Sequence, residues 1–386
     1  MYPTISHLLH DLFGIPFFPL PIQTFGFFVA MAFLVAGFFL SKELMRYEAM
    51  GVIKATKIKV LKNKAINSSD FMWALATGFI LGYKIFPIFT DYYAFTDDPQ
   101  TAILSTQGSF LGAIIGMVIL GGYKYYEKQK LAGKKEYTAD ELLRPHHLSG
   151  NILMIAAISG ILGAKLFHNL ENIDQLIANP IEALFSFSGL TFYGGLIAGI
   201  VSVSYYVKKH GIGLITIADI TAPPVMLAYG VGRIGCQMSG DGDWGINNLN
   251  PKPDWMASLP DWMWSYTYPN NVIGAGVPID GCVGKYCNEL ANPVYPTPFY
   301  EAILGVLLFL FLWNLRKKIR VPGMLFSIYL IVNGLERFFI EKIRINNKLF
   351  GMDITQAELI AAGLVLMGII GVFYFKKRHQ NAHPTV

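Results

Sequence analysis

The sequence predicts an all-α polytopic membrane protein of about nine transmembrane helices with a small external head, and three observations carry that expectation. Of 386 residues, 53% are hydrophobic and only 15% are charged, and the mean hydropathy is +0.42. That is more apolar surface than one soluble core can hide. Apolar runs near the roughly 20 residues that cross about 30 Å of hydrocarbon recur along the chain. Lysine and arginine gather in short connections between those runs, the pattern of loops that face the cytoplasm.

The first run, Gln23 to Leu40, follows a stretch with no basic residue before Lys42. Lacking the charged start of a cleavable signal peptide, it is expected to stay as a span near 21–41 with its front end outside. Further spans are expected near 70–90, 108–125, 150–170, 188–207, 214–232, 298–315, 321–340 and 356–375. In this orientation the internal connections hold most of the 31 basic residues, in Lys42 to Lys64, Lys124 to Arg144, Lys208 and Lys209, Arg316 to Arg320, and Lys376 to Arg378. The external segments 1–20, 91–107 and 171–187 hold none, so the C-terminus is expected inside. The formal net charge of +5 is therefore a topology signal and not a nucleic-acid stripe. The basic residues left outside are Arg233, Lys252, Lys285, Arg337, Lys342, Arg344 and Lys348, which confines external arginine to two segments.

Five regions follow: an arm and first span (1–60), a helix pair with basic loops (61–147), core spans ending in a Gly/Arg motif (148–245), an external head (246–297) and C-terminal spans with a basic tail (298–386). The second region is a repeat. Ile80-Leu81-Gly82-Tyr83-Lys84-Ile85-Phe86 returns as Ile161-Leu162-Gly163-Ala164-Lys165-Leu166-Phe167, Asp98-Pro99 as Asn179-Pro180, and Gly112 and Gly116 as Gly195 and Gly199. Duplicated spans are common in transporters, which keeps a transporter or flippase for an anionic lipid or solute as the alternative function. A duplicated structural hairpin is the simpler reading. Lys84 and Lys165 inside these spans either mark a site or snorkel to the interface. His168 packs or hydrogen-bonds near the interface.

The chemistry concentrates at Gly230-Val-Gly-Arg233-Ile-Gly-Cys236-Gln-Met-Ser-Gly240-Asp241-Gly-Asp243-Trp244-Gly245. An arginine near hydrocarbon costs about 2.5–3.5 kcal/mol by insertion scales, so Arg233 is expected to meet an anion. Glycines beside it let backbone N–H groups approach a ligand. Its fork of donors suits a phosphate, and Arg337 at the outer end of another span suits the same one. The phosphate at that depth is a phospholipid headgroup. The simpler readings pair Arg233 with Asp241 or Asp243, pair Arg337 with Glu341 four residues on, make Tyr193 an interfacial anchor, and use Tyr300 and Glu301 to cap a span. A calcium loop at Asp241 and Asp243 lacks the rest of its ligand set. Cys236 reads as a packing residue. In the head, Trp244, Trp255, Trp262 and Trp264 suit the headgroup layer, and Cys282 and Cys287 form a disulfide candidate, zinc being disfavoured because no histidine lies nearby.

Phe192-Tyr193-Gly194-Gly195-Leu196, Gly232-Arg233-Ile234-Gly235 with Gly240-Asp241 and Trp244-Gly245, Tyr295-Pro296-Thr297 with Tyr300-Glu301, and Asn333-Gly334 with Arg337 and Glu341 resemble the successive motifs of bacterial prolipoprotein diacylglyceryl transferases. The resemblance covers about 145–375 well and 15–45 loosely. It implies a seven-span core, to which the pair in 61–147 adds two. It implies an inner-membrane enzyme, its N-terminus and site facing the periplasm, that moves the diacylglyceryl group of phosphatidylglycerol to the lipobox cysteine of a preprolipoprotein signal peptide, releasing glycerol phosphate. On it, Arg233, Arg337, Tyr193 and Asp241 are catalytic, with Gly194, Gly195, Cys236, Gly240, Gly245, Tyr300, Glu301, Asn333 and Glu341 lining the substrate. No cofactor, metal or nucleic acid is implied. The chain departs from the family where Tyr193 replaces a histidine, Asp241 a glutamate, Cys236 an asparagine and Asn333 a tyrosine. With its pKa near 10, a tyrosine is a poor base at neutral pH, so a histidine-base mechanism does not carry over.

Overall fold

The computed structural model describes residues 1–97, 99–185, 189–346 and 354–382. Asp98 of the repeat and Lys348 among the external basic residues lie outside them. In chain order the elements are α1 (Ile5–Phe13), α2 (Thr24–Ala49), β1 (Thr56–Lys62), α3 (Ser68–Thr90), α4 (Tyr92–Asp97), α5 (Pro99–Leu104), α6 (Phe110–Leu131), β2 (Tyr137–Leu143), α7 (Ser149–Glu171), α8 (Ile173–Ala178), α9 (Pro180–Phe185), α10 (Phe192–Lys209), α11 (Leu214–Ser239), β3 (Val277–Pro278), β4 (Asn288–Glu289), α12 (Thr297–Leu315), α13 (Met324–Glu341) and α14 (Gln356–Ala382).

The protein is mostly helical. Among the described residues six helical stretches are long and apolar enough to cross a membrane: Thr24–Ala49, Ser68–Thr90, Pro145–Glu171, Leu214–Ser239, Thr297–Leu315 and Gln356–Asn381. The other three expected spans fall on α6, α10 and α13, whose ends are more charged. Lys124 and Glu127 sit in α6, Lys208 and Lys209 in α10, and Glu336, Arg337 and Glu341 in α13.

Local signals explain the helix ends. Asn67 and Asp70 form a capping box on α3, and the Ser109 hydroxyl accepts from Gly112 N at 3.1 Å to start α6. The start of α13 is capped from another helix. Buried Asp219 of α11 accepts from Gly323 N at 2.6 Å and Phe326 N at 2.8 Å, satisfying two orphan donors and fixing α13 against α11.

The repeat is a matter of packing. α3 packs on α6 and α7 on α10, each through glycines whose missing side chains admit the partner backbone. A methyl group on Gly82 would overlap the Gly112 carbonyl, and one on Gly163 the Gly194 carbonyl and Ala198. This corrects the register expected from sequence: Gly112 lies against Gly82 and Phe86 as Gly194 lies against Gly163 and Phe167, so its counterpart is Gly194 and not Gly195. Lys84 is satisfied locally, donating to the carbonyls of Ser105 and, at 2.9 Å, Gln107.

The all-α expectation needs one amendment. The two basic connections around the α3–α6 pair form an antiparallel ribbon, β1 on β2, from Thr56↔Leu143 to Lys62↔Tyr137. Its sequence signal is the alternation of Lys57 and Lys59 with Ile58 and Val60, and Lys59 lies opposite Asp140 on β2. A run dense in lysine reads first as a loop.

Leu40, Leu44, Ile152, Val207 and Ile217 bind α2, α7, α10 and α11 into one cluster. Met226, Phe309, Leu312 and Leu325 bind α11, α12 and α13 into a second. At the end of the helices opposite the Gly/Arg motif, buried Glu43 takes Arg46 at 2.7 Å and Arg316 at 2.6 Å. Between α11 and α12 the chain forms the small head, whose core is Trp244, Tyr268 and Val294. Trp244 is thus a buried core residue, whereas Trp255 is exposed. Cys282 and Cys287 are bonded, S–S 2.03 Å.

Candidate active site

α11 runs to Ser239 and stops at Gly240, which adopts the left-handed conformation (φ +65°) that glycine takes without strain. The chain then folds back, so Asp243 returns over α11 and pairs with Arg233 Nη1. Gly245 next runs extended beside the segment that follows α13: Gly245 N donates to the Tyr295 carbonyl at 2.8 Å, and Ile246 N to that of Ile343 at 2.8 Å. Gly245 and Arg344 form a bridge. A methyl group at 245 would overlap the Ile343 carbonyl, so this glycine permits the approach that delivers Arg344.

Three arginines from separate elements meet on one carboxylate. Glu301, in the first turns of α12, has 0% exposure. Its oxygens lie 3.3 Å from Arg233 Nε, 3.4 Å from Arg337 Nη1 and 3.2 Å from Arg344 Nη1. Arg344 Nη2 also reaches Asp243 Oδ1 at 2.7 Å. Arg337 Nη2 lies 2.9 Å from Glu341 Oε2, while Glu341 Oε1 accepts from Thr355 at 2.8 Å. Thr297 Oγ1 donates to the Asp243 carbonyl at 2.8 Å. Burial pushes the Asp243 carboxyl up, but Arg233 and Arg344 outweigh it and hold it below its ordinary value. Its ion pairs therefore persist at ordinary pH, and their stabilisation is lost only as pH falls through that lowered value.

Arg233 and Arg337 converge as their sequence positions suggested, though on Glu301. Glu301 is the buried counterion that holds the guanidiniums together and has no exposed surface to offer a substrate. Asp243, and not Asp241, takes the arginines. Among the described residues no arginine nitrogen comes within 4.0 Å of the Asp241 carboxylate. It accepts from Asp243 N at 3.3 Å, and burial raises its pKa.

Gly194 and Gly195 correct in the same way: both face α7, against the Gly163 and Gly160 carbonyls, and serve helix contact. Gly240 is a helix stop. Tyr300 donates to the Met263 carbonyl at 2.8 Å and ties the head to α12. Asn333 reaches Met226 Sδ at 3.8 Å, linking α13 to α11. Tyr193, half-buried at the start of α10, is within electrostatic reach of Arg337 and Glu341, and its hydroxyl has no hydrogen-bond partner among the described residues.

Cys236 is buried 3.7 Å from Arg233 Nη1. Its sulfur and carboxylate oxygens of Asp241 and Asp243 lie within 4.8 Å of one another. Both Asp243 oxygens are already held by arginines, which leaves two donors, too few for a closed metal site.

Sequence reading passed over Arg344, Tyr229 and Glu336. For Arg344 the signal was present, since external arginine is confined to the segments of Arg233 and of Arg337 with Arg344. The Gly245 bridge that joins those segments is a tertiary contact with no local signature.

Gly245→Ala is expected to lower turnover about tenfold or more by displacing Arg344, since small misplacements at a preorganised site reach 10²-fold effects. Steady-state rates on folded, purified variant check this, and wild-type turnover would contradict the role given to Gly245.

Apolar helices that end together on a buried carboxylate ringed by three guanidiniums define a polytopic membrane protein with a buried ion-pair cluster at one end. Residues 129–374 match the family model described as prolipoprotein diacylglyceryl transferase. Among curated proteins, the phosphatidylglycerol–prolipoprotein diacylglyceryl transferase of Staphylococcus xylosus is 30% identical over 285 residues, 71% of this chain and 89% of that protein. Those of Clostridium tetani and Pseudomonas aeruginosa are each 27% identical, over 68% and 66% of this chain and 90% and 86% of theirs. The chain belongs to the prolipoprotein diacylglyceryl transferase family.

Proposed function

We infer that this protein is a transferase that moves the diacylglyceryl group of phosphatidylglycerol to the lipobox cysteine of a preprolipoprotein. The thiol sulfur forms a bond to the glyceryl carbon, the bond from that carbon to the phosphate oxygen breaks, and glycerol phosphate leaves with the electron pair as the thiol proton is lost. The observation that carries this reading is the convergence of Arg233, Arg337 and Arg344 on Glu301. Guanidiniums already oriented in a water-poor site stabilise the charge that develops on the departing phosphate without having to reorganise. Arg337, the most exposed of the three at 26% of its side chain, is the donor assigned to incoming lipid phosphate, with Arg233 behind it. The acceptor thiol has an ordinary pKa near 8.5, and the same positive field favours its thiolate. Tyr193, beside Arg337, is assigned to orient the headgroup through its hydroxyl.

The finer topology belongs to the same reading: nine spans in the inner membrane of a bacterium, with α3 and α6 as an added pair within 61–147, the N-terminus and head (246–297) periplasmic, and the basic tail cytoplasmic. The distribution of lysine and arginine supports it. The transport alternative draws no support from the repeat, because its glycines are used in helix contact. Incubation of purified protein with phosphatidylglycerol and a lipobox peptide is expected to yield a thioether-linked diacylglyceryl peptide and glycerol phosphate. Formation of neither product rejects the assignment.

A further inference from the structure

Beneath the arginines, α11, α12 and α13 bury a contact that the transfer chemistry does not use. The phenol oxygen of Tyr229 lies 2.9 Å from Glu301 Oε1 and 3.0 Å from Glu336 Oε1. Both carboxyls are buried, with 0% and 7% exposure. A phenol carries one proton. It satisfies one carboxylate, and its remaining contact then sets a lone pair against a second buried anion unless that carboxyl brings a proton of its own. An unrelieved contact of this kind in a dry site is strongly unfavourable.

The surroundings decide which carboxyl carries the proton. Glu301 faces three guanidiniums at 3.2–3.4 Å and is their shared ion-pair partner. Among the described residues no lysine or arginine nitrogen comes within 4.0 Å of Glu336. The titratable and charged groups acting on it are Tyr229 and Arg233 of α11, Glu301 of α12, and Arg337 and Tyr329 of its own helix.

We propose that Glu336 is held as the neutral carboxylic acid, donating to the Tyr229 oxygen while Tyr229 donates to ionised Glu301, and that this chain makes Glu336 a positioning residue for the arginine cluster. The proton count fixes each direction: Glu336 O–H to Tyr229 O, then Tyr229 O–H to Glu301 Oε1. Glu301 is thereby held in the orientation that spreads its charge over Arg233, Arg337 and Arg344. Ionising Glu336 at high pH removes the first donor and sets two anions across one phenol, so Glu301 and the guanidiniums on it shift. The activity arm of the test rests on the transferase reading, whereas the protonation arm does not.

The test uses full-length protein with Glu336→Gln and Glu336→Ala. An amide keeps an N–H donor and no charge, so Glu336→Gln is expected to exceed Glu336→Ala at least about tenfold in turnover of phosphatidylglycerol and a lipobox peptide, the fold-change of losing one buried hydrogen bond. Its pH profile is expected to lack the alkaline fall of the wild type. In the infrared difference spectrum, wild type minus Glu336→Gln at neutral pH, the C=O stretch of one protonated carboxyl is expected. The proposal is overturned by a Glu336→Gln enzyme no better than Glu336→Ala, by one that keeps the wild-type alkaline limb, or by a wild-type minus Glu336→Gln difference spectrum that contains no carboxylic-acid band. A wild type that forms no product removes the transferase reading alone, because the infrared comparison still decides where the proton resides.

Discussion

Arg233→Lys is expected to lower turnover by about 10²–10³-fold, the range found when one preorganised donor to a developing anion is removed, although the charge at 233 is kept. Arg233 uses its fork in two directions, Nη1 to Asp243 and Nε to Glu301 at 3.3 Å. Its side chain is only 17% exposed, so there is little water to replace a lost donor. A lysine carries one compact ammonium and reaches one carboxylate at a time. The other loses its contact with α11 and keeps only the arginines of the α13 segment, Arg344 for Asp243 or Arg337 and Arg344 for Glu301. Turnover of phosphatidylglycerol and a lipobox peptide by the purified variant measures the effect. Activity within a few-fold of wild type would mean that charge alone suffices at this position.

Glu301→Gln is expected to act on folding and catalysis together. The substitution keeps size and shape but removes the anion shared by three guanidiniums, leaving like charges facing one another in a largely buried site. Removing one partner of a buried ion pair costs about 3–5 kcal/mol. A lower melting temperature in detergent and loss of product formation are both expected. Glu301→Asp, which keeps the charge on a shorter arm, should recover more of the stability than of the activity, because the arginines are held but misplaced. Wild-type melting and wild-type turnover in Glu301→Gln would contradict the counterion role.

What sequence made legible, and what it did not, follows from the range of the interactions. Spans are local, since about twenty apolar residues form a membrane-length helix wherever they occur, and each of the nine expected spans lands on a helix. Arg233 and Arg337 stand out because an arginine at the end of an apolar run is costly and its cost has a local signature. The role of Glu301 has none. At the start of an apolar helix it reads as a cap, and only the fold brings three cations to it. Tyr229 and Glu336, 107 residues apart, were lost among apolar neighbours for the same reason. Glycine misled in the opposite direction: Gly194 and Gly195 beside a motif tyrosine suggest a ligand, whereas their neighbours are the carbonyls of α7. Near an active site, a small residue that admits a substrate and one that admits a helix look alike in sequence.

The ribbon of β1 on β2 has a consequence for how this chain can be enlarged. Thr56 and Leu143 are directly paired, so the polypeptide leaves and re-enters at points about one strand spacing, roughly 5 Å, apart. Apart from Tyr92, which stacks on Phe18 and donates to the Pro19 carbonyl, the segment between them acts toward α2 and α7 as a tight turn that joins them. A segment inserted at such a neck leaves the ends of α2 and α7 where they are, so the protein can be enlarged there without moving the machinery at its other end.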